Sequence, residues 1–238
     1  METLYYLGGY HLVKPKSLWL EYNGGKMVHT TSNCMNQSLI GSWAYSWGSF
    51  RTEELDKTKE DFELNDKDIK RIQAWADENF QSNRLYWTGD FADLETAIEY
   101  KQTFFSHLDD VYLYSISLSA SDTDRLISQF ENEQHNHGPF RLQKTLANKI
   151  KEQEDPKEVL VGYDLIGVEF DSHHTFYCHY ATQKLIDKVG LTLNESGLFD
   201  ETSDWQPVRD YISHEGNGFE PVPWYVAKTK MVTLPPQQ

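Results

Sequence analysis

The densest group of reactive side chains lies between positions 169 and 179, in the sequence Glu-Phe-Asp-Ser-His-His-Thr-Phe-Tyr-Cys-His. Imidazole is the most common metal ligand in proteins, and a thiolate beside a histidine can act as a nucleophile. This segment therefore carries one hypothesis about function. The hypothesis is a metal- or thiol-dependent hydrolase or transferase that uses His173, His174, Cys178 and His179.

The alternation of an extended strand would divide these side chains between two faces. Phe176 would then separate His174 from Cys178. A cysteine–histidine dyad would need His179 to turn towards Cys178, or another histidine, such as His137 or His214, to approach from elsewhere in the chain. The pattern favours Phe176 and Cys178 as core residues and identifies no catalytic residue. The opposite face would hold His173, Thr175, Tyr177 and His179.

The signatures of several common enzyme classes are missing from the sequence. It contains no Gly-x-x-x-x-Gly-Lys-Ser/Thr loop, no Gly-x-Ser-x-Gly elbow, no His-Glu-x-x-His pair and no Cys-x-x-Cys pair. These absences exclude the usual nucleotide-binding, serine-hydrolase and zinc-protease patterns. No cofactor is predicted, and a non-enzymatic protein is favoured over an enzyme whose residues converge only in the fold.

Acidic residues outnumber basic ones, with 37 Asp and Glu against 22 Lys and Arg, and the net charge is −15. Because like charges repel, nucleic acids and anionic membranes are excluded as partners. We therefore expect a non-enzymatic acidic binding protein with a basic protein partner, for example an immunity-type inhibitor of a basic toxin or nuclease. The predicted docking residues are Glu53, Glu54, Asp56, Glu60, Asp61, Glu63, Asp66, Asp68, Trp43 and Trp47.

Targeting signals and membrane spans are also missing. The chain begins Met-Glu-Thr-Leu-Tyr-Tyr-Leu without a basic segment, and no run of eighteen apolar residues follows. Two cysteines, Cys34 and Cys178, are too few for a disulfide framework, which favours a reducing compartment. A soluble, cytoplasmic protein is therefore expected, with the oligomeric state left open.

The order of secondary-structure patterns along the chain predicts an α+β fold, because helix and strand patterns are mixed without regular βαβ alternation. Residues 1–50 are interpreted as a β-meander with a tight turn at Asn23-Gly24-Gly25. Central helices follow, one capped by Asn65 and another beginning at Asp90. Strands are predicted over 111–118, 159–170 and 224–232, and short helices lie between them, one of which is capped by Thr182 and continues through Leu185, Ile186 and Val189.

Chain organisation allows two interpretations. A single α+β domain over residues 1–238 agrees with the length of the chain. The alternative is a subdivision into 1–155 and 156–238, because a helix end, Pro156 and a charged stretch coincide there.

Overall fold

The structure is a computed structural model, and it describes residues 3–17, 27–32, 35, 52–86, 90–132, 146, 148–169, 172–178, 181–202 and 204–234. Its strands are β1 (Leu4–Tyr6), β2 (His11–Val13), β3 (Lys16–Ser17), β4 (Met27–Val28), β5 (Tyr112–Ser119), β6 (Glu158–Glu169), β7 (Ser172–Thr175) and β8 (Trp224–Val232). Its helices are α1 (Thr52–Asp61), α2 (Asp66–Gln81), α3 (Leu94–Phe104), α4 (Ala120–Asn132), α5 (Thr182–Val189) and α6 (Gln206–Ile212). Two short 3₁₀ segments span Phe176–Cys178 and Glu215–Asn217.

Six of the strands form one antiparallel sheet in which β8 lies between β5 and β6, and β7 pairs with the far end of β6. The two C-terminal strands and β5 follow the β-branched and aromatic runs that predicted them. Together with the helices, this sheet confirms the α+β fold class. Strands from before position 155 and strands from after it belong to this one sheet, and they meet where β5 pairs with β8.

The N-terminal strands differ from the expected meander, because β1 and β2 pair with β5 and not with each other. They form one edge strand that is interrupted at Gly8 and Gly9. Gly8 adopts a φ of 77°, and a Cβ on Gly9 would lie 1.8 Å from the carbonyl oxygen of Phe91. The glycines therefore permit a bend that larger residues would block. Only β3 and β4 pair in sequence order among these strands, and the predicted turn at 23–25 lies outside the described residues.

Two helix starts show how caps decide boundaries. Asn65 caps α2 as predicted, and the Asp68 carboxylate accepts the Asn65 amide in a reciprocal capping box. The next helix, α3, begins after Asp93, whose carboxylate accepts the Thr96 amide at 2.8 Å. The prediction of a start at Asp90 was wrong, because Asp90 is buried beside a histidine instead.

Apolar side chains cover both faces of the sheet. Leu113 packs in a cluster with Ile69 of α2 and Ala97 of α3, whereas Ile116 packs with Leu126 of α4. Residues 113 and 116 point to opposite faces of β5, so helices shield the sheet on both sides. A third cluster joins β8 to α5 and α6. Within the ranges given above, none of the helices has the length and apolar character needed to cross a bilayer.

Candidate functional site

A carboxylate and an imidazole form a buried pair beside β2. The Nδ1 atom of His11 lies 2.7 Å from the Oδ1 atom of Asp90, and both side chains are about nine-tenths buried. Such a contact fixes the orientation of the ring and directs its Nε2 atom away from the carboxylate. Within the described part of the chain, this buried Nε2 atom has no hydrogen-bond partner. The pair therefore has the arrangement of an oriented general base.

His173 of β7 meets this pair edge-on, with its ring centroid 5.8 Å from that of His11. Its Nε2 atom lies 2.9 Å from the hydroxyl oxygen of Thr31. Burial, together with the electrostatic effect of the neighbouring His11, lowers the pKa of His173 to about 3. The imidazole is consequently neutral near pH 7. The sequence singled out His173 but missed His11, Thr31 and Asp90, which are far apart in the chain.

The segment from His29 to Ser32 lies against the same face of the sheet. His29 Nδ1 contacts the Tyr114 hydroxyl at 2.7 Å, and the Thr30 hydroxyl donates to Asp164. The buried Asp164 carboxylate also accepts the Thr175 hydroxyl at 2.7 Å. Burial raises the pKa of Asp164 to about 6, and the two hydroxyl hydrogen bonds only partly oppose that effect.

His173 is expected to make the folded chain acid-sensitive. Below pH 6.5 the His173 imidazole is protonated in the unfolded chain but stays neutral in the folded chain. The free energy of unfolding therefore falls as the pH is lowered from 6.5 toward 3. Because His173 keeps partial solvent contact, we expect wild type to lose about 2 kcal/mol more than His173→Gln between pH 7 and pH 4. Urea unfolding at several pH values measures the difference. His107→Gln, which removes an exposed imidazole, is the control, and parallel curves for wild type and His173→Gln would contradict the expectation.

The other residues of the metal or thiol hypothesis do not join His173. The strand ends at Thr175, and His174 faces Glu220, with its Nε2 atom 3.8 Å from the carboxylate. Cys178 is disulfide-bonded, so its sulfur has no thiolate, and the expected reduced cysteine is corrected. His179 and Cys34 lie outside the described residues. Among the residues described, no group of three or more His, Cys, Asp or Glu side chains is placed to hold a metal.

Several carboxylates of the predicted acidic docking run make ion pairs or hydrogen bonds within the fold. Lys59 Nζ lies 2.9 Å from carboxylate oxygens of both Asp56 and Asp66, and Asp68 belongs to the cap of α2. Asp61 is half-buried, while Glu60 and Glu63 are exposed. The side chains of Glu53 and Glu54, and the whole of Trp43 and Trp47, lie outside the described residues. Docking through this run stays a prediction.

An acidic cleft of about 480 Å³ opens between the bend at Gly8 and Gly9, the start of α3 and the segment that precedes β6. Among the lining residues that the structure describes, Lys151 is the single basic one. Glu154 is exposed, and within the described residues its carboxylate has no hydrogen-bond or ion-pair partner. We call this feature the acidic cleft; its lining includes Tyr6, Tyr10, Asp93, Lys151, Glu154 and Asp155.

Two tyrosines give the acidic cleft an aromatic side. The rings of Tyr6 and Tyr10 lie 6.3 Å apart between centroids, and the Tyr6 hydroxyl donates to Glu158 at 3.3 Å. Burial, together with the charges of Glu158 and Asp155, raises the pKa of Tyr10 to about 12. Burial and Glu158 likewise raise the pKa of Tyr6. Both phenols therefore stay neutral in a negative electrostatic potential, which attracts cations.

Comparison with protein-family models, curated proteins and solved structures finds no match to this chain. A fold class alone does not determine activity, so function must be argued from the chemistry of these sites.

Proposed function

We propose that this protein is a non-enzymatic acidic binding protein whose basic protein partner places cationic side chains in the acidic cleft. The observation that carries the proposal is the composition of that cleft. Its described lining holds the carboxylates of Asp93, Glu154 and Asp155 and one basic residue, Lys151, beside the rings of Tyr6 and Tyr10. Carboxylates and electron-rich rings both favour positive charge. An immunity-type inhibitor of a basic toxin or nuclease is the concrete form.

The cleft supports this function better than the acidic run on α1 and α2 does. In the run, Lys57 and Lys67 are exposed among the carboxylates and Lys59 is shared by two of them. In the cleft, no residue among those the structure describes pairs with the Glu154 carboxylate in this way. The net charge of −15 adds long-range attraction that speeds the encounter with a basic protein.

A charge-neutralised variant tests the proposal, and its substitutions keep the local hydrogen bonds. Asparagine at 93 can still cap α3, and asparagine at 155 can still accept the Lys157 amide, which donates to the Asp155 carboxylate at 2.8 Å. For the triple variant Asp93→Asn, Glu154→Gln and Asp155→Asn, we expect about tenfold weaker binding of the basic protein that wild type captures from its own cells.

The matched control is the triple variant Glu60→Gln, Glu63→Gln and Asp66→Asn, which removes the same charge from the acidic run. We expect this control to bind the captured protein with nearly the affinity of wild type. The salt dependence of binding should also change less in this control than in the cleft variant. Capture of no basic protein, or a captured protein that binds both triple variants equally, would refute the proposal.

An acid–base enzyme is the second candidate, and one observation favours it. Asp90 orients the imidazole of His11, whose Nε2 atom has no hydrogen-bond partner among the residues that the structure describes. This imidazole borders His173, which keeps partial solvent contact. A hydrolase or transferase of this kind would use His11 as the general base. Metal analysis of tag-free protein tests the metal-dependent form, which requires stoichiometric metal in wild type and its loss in His173→Gln.

A further inference from the structure

We infer that the acidic cleft accepts an arginine side chain of the basic partner. This inference rests on the proposed function and specifies the ligand of the same site. The cleft presents carboxylates from two directions, because Asp93 precedes α3 whereas Glu154 and Asp155 belong to the segment before β6. A planar guanidinium has five N–H donors in a fixed arrangement and can donate hydrogen bonds to carboxylates that lie in different directions. An ammonium is a compact point charge.

The aromatic side of the cleft also matches a guanidinium. Tyr10 is half-buried and packs against the core, so its ring is held in place at the cleft. Because the pKa of Tyr10 is raised to about 12, the ring stays a neutral phenol. Arginine stacks on such a face more readily than lysine does, since the guanidinium is planar and weakly hydrated.

An anionic ligand is disfavoured at the same place, although the start of α3 lies there. A helix N-terminus attracts anions through its free amides. Here the Asp93 carboxylate already accepts the Thr96 amide at 2.8 Å and the Thr96 hydroxyl at 2.9 Å. The carboxylates of Glu154 and Asp155 would repel a second anion, so the charge of the cleft selects a cation.

Titration of the full chain with acetyl-Gly-Arg-Gly-amide, followed by amide chemical shifts, tests the inference. The lysine and citrulline counterparts are the matched probes, because lysine keeps the charge and citrulline keeps the shape. We expect the citrulline peptide to bind about tenfold more weakly than the arginine peptide, and the lysine peptide about threefold more weakly.

Variants at Tyr10 separate the ring from its hydroxyl. Tyr10→Phe keeps the aromatic face and should keep the affinity for the arginine peptide, whereas Tyr10→Leu keeps apolar packing and should lose about fivefold. Equal affinity for the three peptides, or an unchanged affinity in Tyr10→Leu, would overturn the arginine inference. If capture of the basic partner still depended on Asp93, Glu154 and Asp155 in that case, the proposed function would stand. If capture did not depend on them, the proposed function itself would fail.

Discussion

The variant Asp164→Asn is expected to be more stable than wild type by about 3 kcal/mol at pH 7.5. Asp164 is 2% exposed, and burial raises its pKa from 3.8 to about 6. The folded chain therefore binds the Asp164 proton more tightly than the unfolded chain does. The stability that this protonation contributes is fully present below pH 3.8 and is lost as the pH rises through 6. Asparagine carries no charge and removes that loss.

Urea unfolding between pH 3.5 and pH 7.5 measures the effect. The stability advantage of Asp164→Asn should be largest above pH 6 and should shrink as the pH approaches 3.8. The hydroxyls of Thr30 and Thr175, which donate to the carboxylate, can also bond an amide. Asp109→Asn, at an exposed position, is the control. A variant less stable than wild type at pH 7.5, with no change in pH dependence, would contradict the account of Asp164.

The second large effect is expected at Asp122 on α4. Its carboxylate accepts two hydrogen bonds from the Arg209 guanidinium, at 2.8 and 2.6 Å, and its side chain is 6% exposed. Removing one partner of a buried ion pair leaves the other charge poorly compensated. We therefore expect Asp122→Asn to lower the free energy of unfolding by about 3 kcal/mol, the lower end of the usual range, because Arg209 keeps some solvent contact.

The neighbouring Asp124 provides a control on the same helix with the same substitution. Its ion pair with Lys149 is solvent-exposed, with 64% of the aspartate side chain accessible. Exposed pairs contribute little to stability, so Asp124→Asn should unfold close to wild type. Chemical denaturation of both variants at one pH gives the comparison. Equal losses in the two variants would show that the buried pair with Arg209 has no special role.

Local sequence patterns predicted the elements well where one physical cause dominates. Asn65 followed by Asp68 is a capping box that needs no tertiary partner, and α2 begins there. Gly190 ends α5 with a φ of 65°, in the left-handed conformation that commonly terminates helices and that glycine adopts without steric cost. The start of α3 was misplaced because Asp90 and Asp93 are equally good caps. Tertiary contact with His11 decided between them.

The sites could not be predicted in the same way, because their residues meet only in the folded chain. His11, Thr31, Asp90 and His173 belong to four separate segments, and no short pattern links them. The sequence predicted a cationic partner on the acidic run of residues 53–68, where carboxylates are dense along the chain, and gave no sign of a cleft whose carboxylates come from separate segments. The acidic cleft depends on the bend at Gly9, which lets the Phe91 carbonyl approach the chain closely. That approach is a property of the sheet edge and not of any local motif.

The central claim is that a cationic partner binds in the acidic cleft, and amide shift mapping with the captured basic protein tests it most directly. We expect the largest shifts at Gly8, Gly9, Tyr10 and Glu154, which line the cleft. These shifts should diminish when Asp93, Glu154 and Asp155 are neutralised together. Shifts centred on residues 56–68, or spread evenly over the surface, would contradict the claim.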